Sequence, residues 1–485
     1  MDSLYAIKKS IKNYASGGNV LIVATLLAFI IANSPIADMY FSWWAQPISL
    51  QLGDFNLFSH NGHPMTVMEF INDALMAIFF FSIGLEIKRE VLVGELTSIK
   101  QALLPIVAAI GGMVIPVLLF MYIGRGSDFL RGSAIPMATD IAFSLGVLAM
   151  LGKRVPISLK IFLTTLAVVD DIGGILVIAI FYSSHISVTY LFYAAGIFLI
   201  LWLGGRAGIN SKMFYFILGG VVWFLFLNSG IHPTIAGVLV AFCIPAKPVL
   251  ATTRFISTIR DEIANFPQEQ FHGDSDSSIM LSKDQINCLK SIESASDKVI
   301  SPLQDLEDTL HPVINYLIIP LFAFANAGIV LSGIELSSLF TGISLAVFVG
   351  LLFGKFVGIF FSSWLIIKLK IVPMPTHSTW KSLAAVSVLG GIGFTVSLFI
   401  ANLSFGNMGP EGIELLEHAK LGIVMGSLVS GILGYILQPV FTEATRSRVG
   451  RLFKFYRFGR ANKRNQIGRC DQHQNRYKHA ADVQP

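Results

Sequence analysis

The segment that decides the fold is residues 157–182, which read ISLKIFLTTLAVVDDIGGILVIAIFY. It exceeds the roughly 20 apolar residues that a helix needs to cross about 30 Å of hydrocarbon. Beyond Lys160, its only charged residues are Asp170 and Asp171, which are adjacent and lie at its centre. Because charges at the middle of a bilayer are costly, this segment predicts a membrane-spanning helix with a functional site inside it.

Similar apolar segments recur along the 485 residues, of which 54% are hydrophobic and 13% charged, with a mean hydropathy of +0.68. This composition is more apolar than a water-soluble core requires. Since helices are the only non-barrel structures that satisfy their backbone in lipid, we expect an all-α polytopic membrane protein with about twelve transmembrane helices. The predicted spans are residues 18–33, 66–87, 102–123, 132–151, 157–182, 187–205, 213–228, 230–245, 312–331, 341–367, 379–403 and 419–441.

Two polar regions divide and follow these spans. Residues 1–245 hold membrane helices one to eight, and residues 312–441 hold helices nine to twelve. Residues 246–311 are rich in Ser and Asp and predict a cytoplasmic polar insertion, partly helical or disordered. Residues 442–485 form a basic tail with interspersed aromatic residues, which suits anionic membrane lipids. A solvated appendage is an equally good interpretation of both regions, and no nucleic-acid-binding module accompanies either one.

Lys and Arg residues are concentrated in every second loop between the spans, as expected when loops lie alternately on the cytoplasmic and the exported side. The charges before helix one, after every even-numbered helix and in the tail predict that both termini are cytoplasmic. Arg125 and Arg131, between helices three and four, are exceptions. The first span also resembles a secretory signal peptide, but retaining it keeps the alternation even, which favours a true helix. The 3 cysteines have neither metal-binding nor disulfide spacing.

Four ionisable residues lie inside predicted spans: Asp140 in helix four, Asp170 and Asp171 in helix five, and Lys355 in helix ten. Each costs roughly 2.5–3.5 kcal/mol to insert, which a purely structural bundle would not require. Neighbouring helical residues project about 100° apart, so the two adjacent aspartates need different partners. One can face Asp140 and, with the Thr139 hydroxyl, form a hard-oxygen site for a small cation, while the other pairs with Lys355.

Such a site predicts exchange, because protons and a cation compete for the same oxygens. If two protons leave for each sodium ion that binds, the exchange moves net charge. Three other interpretations stay open on the residues alone. They are an Asp–Lys pair that only locks two helices, an intramembrane aspartyl protease and a channel. The adjacency of the aspartates and the buried lysine disfavour the protease, and interrupted helices favour alternating access over a channel.

Two spans carry sequence interruptions. Helix four contains Pro136, and helix eleven contains the run Gly390, Gly391, Ile392 and Gly393. Each is the second member of a triple of helices, three to five and ten to twelve, and the predicted topology gives them opposite directions. Broken segments at matching places in two inverted repeats mark the midplane site of a transporter. The charges of Asp140 and Lys355 have the signs that could compensate the ends of such broken helices.

The chain resembles the NhaA-type sodium/proton antiporters of bacteria. The resemblance rests on six strings spread over nearly the whole bundle: GLEIKREVLVGEL from Gly84, MATDIAFSLGVL from Met137, LAVVDDIGGI from Leu166, LIIPLFAFANAGI from Leu317, LFGKFVGI from Leu352 and GGIGFTVSLFIANLSF from Gly390.

This resemblance implies an NhaA-like fold with inverted repeats and crossed broken helices four and eleven. It implies electrogenic exchange of Na⁺ or Li⁺ for H⁺ in the bacterial inner membrane, for pH and sodium homeostasis, with activation at alkaline pH. No enzyme activity and no cofactor are implied. By motif position, Asp171 is the principal carrier of the cation and the proton, and Asp170 is the partner of Lys355. Asp140 and Thr139 occupy the crossing and join Asp171 as expected ligands of the transported Na⁺.

The resemblance also places pH sensing at the cytoplasmic ends of helices two and nine. Glu86, Glu90 and Glu307 are the expected contributors, although ordinary solvated helix ends explain them equally well on sequence grounds. The insertion before helix nine departs from the compact family pattern, which leaves the pH response open. Residues 38–65 are expected to form a hairpin used in a homodimer. The residues do not decide between Na⁺, Li⁺ and K⁺.

Overall fold

The computed structural model describes residues 17–438 except 53–54, 57, 61–62, 153–154, 184–185, 267–280, 331–340 and 407. The predicted basic tail lies outside these residues. In the described part the chain is almost wholly helical, as expected, with four two-residue strands on one loop. The protein is therefore an all-α polytopic membrane protein at the level of its architecture.

Seven helices of the described chain are long and apolar enough to cross a membrane. They are α3 (Val67–Val93), α4 (Ile99–Ile123), α6 (Ile157–Phe181), α7 (Val188–Arg206), α12 (Pro302–Asn326), α13 (Gly342–Lys368) and α16 (Gly409–Gln438).

Three pairs of shorter helices pass the same criterion together but are bent at a break. The pairs are α1 (Gly17–Ala32) with α2 (Ala37–Trp44), the 3₁₀ helix Asp128–Met137 with α5 (Ile141–Met150), and α14 (Trp380–Leu389) with α15 (Phe394–Phe405). Counting each pair as one span gives up to 10 spans in the described chain. Two further apolar helices, α8 (Lys212–Leu227) and α9 (Pro233–Cys243), are short for a membrane span. The count of about twelve therefore stays a prediction.

The loop between α2 and α3 contains two small antiparallel hairpins. Strand β1 (Gln51–Leu52) pairs with β2 (Phe55–Asn56), and β3 (Ser59–His60) pairs with β4 (His63–Pro64). The amide oxygen of Asn56 accepts hydrogen bonds from the backbone N–H groups of Leu50 and Phe58, each at 3.1 Å. The side chain of this residue thus ties the first hairpin to the second.

The polar insertion contains two helices that pack against each other, α10 (Thr252–Ala264) and α11 (Lys283–Val299). The thiol of Cys288 donates to the carbonyl oxygen of Glu262 at 3.2 Å across this pair. The ninth predicted span, expected from residue 312, belongs to a helix that already begins at Pro302. Ser301 caps this helix by accepting from the N–H of Gln304 at 3.3 Å, which explains the earlier start.

The helices pack as two groups. In the first, α4, α5, α6, α13, α14, α15 and the 3₁₀ helix form one connected set of contacts. In the second, α3 packs on α9 and α12, α8 packs on α7 and α9, and α12 packs on α1. The groups meet where α3 contacts α6, where α12 contacts α15 and where α1 contacts α5. In the first group the backbones of α4 and α13 touch at Gly111 and Gly358, where a Cβ on Gly111 would lie 2.5 Å from the Gly358 carbonyl oxygen.

Single π-helical turns interrupt three of the long helices. They are Ile71–Leu75 in α3, Ile314–Ile318 in α12 and Gly350–Gly354 in α13. Such turns often accompany functional positions because they rotate the residues that follow. The turn in α13 ends directly before Lys355, and the turn in α3 contains Asn72.

Candidate ion-binding site at two helix breaks

Two bent pairs of helices meet inside the first group. The 3₁₀ helix ends at Met137 and α5 begins at Ile141, with a bend of 40°, while α14 and α15 are bent by 43° across residues 390–393. The two breaks touch, because the N–H of Asp140 donates to the carbonyl oxygen of Ile392 at 2.7 Å. The hydroxyls of Thr139 and Ser144 donate to the carbonyl oxygens of Gly390 and Leu389, at 3.0 and 3.2 Å. These bonds satisfy carbonyls that the end of α14 leaves without helical partners.

Gly393 makes the close approach of the two helix breaks possible. A Cβ at this position would lie 2.9 Å from the carbonyl oxygen of Ala138 and 2.8 Å from a methyl carbon of Leu351. Neither neighbour is the end of a long flexible side chain. A glycine is therefore required where the second break passes the first one.

Asp140 lies between the N-termini of two helices. Its Oδ1 accepts from the N–H of Phe143 at 2.9 Å, as the N-cap of α5. Its Oδ2 accepts from the N–H and the hydroxyl of Thr395, in the first turn of α15, at 3.1 and 2.6 Å. Helix N-termini carry about half a positive charge, so one carboxylate compensates two of them. Sequence reasoning missed Thr395, whose only signal is its position two residues after the glycine run.

Lys355 forms an ion pair with Asp170 in which both side chains are wholly buried. The ammonium of Lys355 also donates to the Thr139 hydroxyl at 2.9 Å. Since Thr139 in turn donates to Gly390, hydrogen bonds connect the lysine charge to the carboxyl end of α14. The other oxygen of Asp170, Oδ1, is buried and has no hydrogen-bond partner among the described residues. A buried carboxylate oxygen can accept a hydrogen bond from water or bind a cation.

Asp171 is 6% exposed and, within the described chain, makes neither a hydrogen bond nor an ion pair. Its carboxyl group interacts electrostatically with Asp170, Glu86 and Asp140, and with Lys355. One turn further along α6, a Cβ on the buried Gly174 would meet no atom within 4 Å. Residues three or four apart share a helix face, so this open space lies beside both aspartates. The structure thus pairs Asp170 with Lys355 and leaves the Asp171 carboxylate available beside unfilled space.

The three glutamates expected at the helix ends lie around Arg89. The Arg89 guanidinium contacts Glu90 at 3.1 Å and Glu307 at 3.4 Å, which joins α3 to α12. Glu86 is half-buried and interacts electrostatically with Arg89, Glu90 and Glu307, and also with Asp171. Arg89 is the residue that sequence reasoning did not select, although it lies in the quoted string around Glu86.

Two bent helix pairs that meet beside a buried ion pair, inside a bundle of membrane-spanning helices, form the architecture of a secondary transporter. The sequence model of the family described as Na⁺/H⁺ antiporter 1 matches residues 8–438, so the chain belongs to that family. The sequence resemblance to NhaA-type proteins is thereby confirmed. Membership also removes the protease interpretation, since these proteins are transporters and not enzymes.

Several bacterial proteins named Na(+)/H(+) antiporter NhaA are similar to this chain. The protein of Phocaeicola vulgatus is 55% identical over 434 residues, which cover 89% of this chain and 95% of that protein. The protein of Bacteroides thetaiotaomicron is 55% identical over 436 residues, 89% of this chain and 97% of that protein. The protein of Oleidesulfovibrio alaskensis is 42% identical over 426 residues, 88% of this chain and 92% of that protein.

Proposed function

We propose that this chain is an electrogenic antiporter that extrudes Na⁺ or Li⁺ in exchange for H⁺ across a bacterial inner membrane, for pH and sodium homeostasis. The observation that carries the proposal is the buried Lys355–Asp170 pair, with the available carboxylate of Asp171 beside it. A structural ion pair needs no second carboxylate. An ion carrier does, because the cation must find ligands that a proton can also occupy.

In this proposal Asp171 is the principal ligand of the cation, and the buried Oδ1 of Asp170 is a second one. A Na⁺ ion bound there adds a positive charge beside the Lys355 ammonium, in surroundings where charges interact strongly. One proton leaves Asp171 when the cation binds, and a second leaves the ammonium of Lys355. Exchange of two protons for one Na⁺ moves one net charge and is therefore driven by the membrane potential.

Asp140 and Thr139 contribute the remaining polar atoms of the site. The N–H and O–H donors already held by Asp140 favour a role in fixing the helix ends. Oδ2 accepts two hydrogen bonds, whereas Oδ1 accepts one and has a second lone pair that a cation can use. Thr139 carries an oxygen one residue before Asp140 and hydrogen-bonds to Lys355. Both are proposed as members of the Na⁺ site, next to Asp171.

Transport follows by alternating access of this one site. We propose that each bent pair at the crossing is a single broken span, so that helices four and eleven of a twelve-helix bundle run in opposite directions as parts of inverted repeats. The alternation of positive charges supports cytoplasmic termini. The packing of the helices as two groups supplies the parts that could move against each other.

Alkaline activation is proposed to act through Glu86, Glu90 and Glu307. Their shared contact with Arg89 connects α3 to α12, and Glu86 interacts electrostatically with Asp171. A change in the charge of Glu86 would change the electric field at the ion site. The two hairpins between α2 and α3 are proposed to contact a second copy in a homodimer, and the basic tail to contact membrane lipids.

The test uses everted membrane vesicles with a pH-sensitive dye. Adding Na⁺ should dissipate the pH gradient with the wild type, from neutral to alkaline pH, and should have no effect with Asp171→Asn. The variant Asp38→Asn, a change in the first turn of α2 far along the chain from the site, is the matched control and should behave as the wild type. A wild-type gradient that Na⁺ leaves intact at every pH, with the protein inserted, would refute sodium exchange. Sodium flux that continues without proton countermovement would indicate a channel.

A further inference from the structure

Three asparagine side chains join three helices at one side of the bundle. Asn402 of α15 donates through Nδ2 to Oδ1 of Asn326 in α12, at 2.8 Å. Asn326 donates through its own Nδ2 to Oδ1 of Asn72 in α3, at 2.9 Å. Asn326 is only 1% exposed, so each of these bonds replaces water that the amide has lost. By the predicted topology, these positions lie toward the outer surface, opposite the positively charged loops.

Only one of the two bonds connects the two groups of helices. Asn72 and Asn326 both belong to the second group, in which α3 packs against α12. Asn402 belongs to the first group, which also holds the ion site. If the groups move against each other, the bond between Asn402 and Asn326 must change, whereas the bond between Asn326 and Asn72 need not.

The same face of α15 leads from these asparagines to the ion site. Thr395, Phe399 and Asn402 are four and three residues apart, a spacing that places them on one side of a helix. Thr395 holds Asp140, and Asn402 lies about 10 Å further along the axis at 1.5 Å per residue. α15 therefore links the site directly to the asparagine chain.

Phe399 fills the space between them. Its ring centroid lies 5.5 Å from that of Phe80 in α3 and 6.4 Å from that of Phe322 in α12. All three rings are nearly or wholly buried. Between the ion site and the outer surface lie first these aromatic rings and then the asparagine amides. Both layers form where the two groups of helices meet.

We propose that the Asn72–Asn326–Asn402 chain closes the outer side of the transport path and that its Asn402–Asn326 bond breaks whenever the site opens outwards. This inference rests on the proposed exchange by alternating access, which needs a barrier on each side of the site. Asn326 and Asn402 act as positioning residues, since they touch neither Asp171 nor Lys355. The competing possibility is a permanent clamp that never opens during transport.

The first experiment links the pair covalently. In the full chain with Cys243, Cys288 and Cys470 replaced by Ser, Asn326→Cys/Asn402→Cys is treated with a short bifunctional methanethiosulfonate reagent. Sodium-induced dissipation of the pH gradient should fall to background and return when a reductant removes the link. The matched control, Asn72→Cys/Asn326→Cys, joins residues of the same group, and its rate of exchange should be the same before and after linking. Undiminished exchange in the linked 326/402 protein, or equal loss in both pairs, overturns the proposal.

The second experiment does not depend on transport. Ala323→Cys introduces a wholly buried thiol one turn from Asn326 toward the membrane centre, and intact cells are treated with a membrane-impermeant thiol reagent. Adding Asn402→Leu should raise the labelling rate severalfold, because the outer side opens more often. Adding Asn228→Leu should leave the rate unchanged, since among described residues this amide bonds only to its own helix, at Phe224. Equal rates with and without Asn402→Leu refute the barrier, whereas an absence of sodium exchange in the wild type refutes only the antiporter proposal.

Discussion

Thr395 donates both its backbone N–H and its hydroxyl to the same oxygen of Asp140, although the two residues are 255 positions apart in the chain. The other oxygen of Asp140 accepts from Phe143 in its own helix. One side chain therefore fixes the starts of α5 and α15 relative to each other. A charge at a helix terminus contributes up to about 2 kcal/mol in partly buried geometries, and Asp140 serves two termini at once.

Replacing Thr395 by Val should weaken this junction, because it removes the hydroxyl while keeping the shape and the backbone N–H. A hydrogen bond to a charged group contributes about 1.5–3 kcal/mol, so the variant should melt earlier in detergent and exchange sodium more slowly. Thr395→Ser retains the hydroxyl and should stay close to the wild type in both measurements. Equal effects of Val and Ser would show that the hydroxyl bond to Asp140 contributes nothing.

Breaking the buried ion pair from one side should be more damaging than removing it entirely. Lys355→Met leaves the Asp170 carboxylate buried without its partner, which costs about 3–5 kcal/mol of stability. Adding Asp170→Asn removes the uncompensated charge and should recover most of the loss, as measured by thermal unfolding of the purified proteins. A double variant as unstable as Lys355→Met would show that charge pairing is not the reason for the destabilisation.

Gly393→Ala should force the two helix breaks apart. The added Cβ would lie 2.9 Å from the Ala138 carbonyl oxygen, closer than atoms in contact tolerate, and relief of such overpacking costs about 1–3 kcal/mol. The melting temperature and the exchange rate should both fall. Gly196→Ala in α7 is the control, since its Cβ would meet no atom within 4 Å, and it should be neutral or slightly stabilising. Similar melting temperatures for both variants would contradict the close approach.

Arg89→Gln should move the onset of exchange to more alkaline pH. Without the guanidinium, no positive charge offsets the repulsion between the carboxylates of Glu86 and Glu307, and this repulsion opposes ionisation of the cluster. The rate of sodium-induced dissipation, followed from pH 6 to 9 in vesicles, should therefore rise later than in the wild type. Arg206→Gln, at the exposed end of α7, removes an equal charge that stacks only on Trp202 among described residues and should leave the profile in place. An unshifted profile for Arg89→Gln would exclude this cluster from pH control.

The sequence predicts the positions of the charged residues well and their contacts poorly. Asp140, Asp170, Asp171 and Lys355 stand out because charges are costly within apolar spans, and that argument needs no structure. The partners Thr395 and Asn402 carry no such signal, since a Thr or an Asn has no net charge and costs less in a membrane helix than an ionised residue. Their importance comes from pairing across more than 70 residues of chain, which depends on how the helices pack.

Helix boundaries show the same limit. Hydropathy predicts the ninth span from residue 312, because polar residues precede it, but the helix continues back to Pro302 under a Ser301 cap. Hydrophobicity indicates which part of a helix lies in lipid, but it does not indicate where the helical hydrogen bonding begins. The breaks after Met137 and Leu389, in contrast, were indicated by Pro and Gly residues, whose effect on a helix is local.

The early start of α12 has a mechanical consequence. At 1.5 Å per residue its 25 residues extend over about 37 Å, and by the predicted topology Glu307 lies near the inner end and Asn326 at the outer end. When a helix tilts about its middle, its two ends move in opposite directions. If α12 tilts as one body through its π-helical turn, a movement of Glu307 away from Arg89 moves Asn326 in the opposite direction, so the two ends of the helix are mechanically coupled.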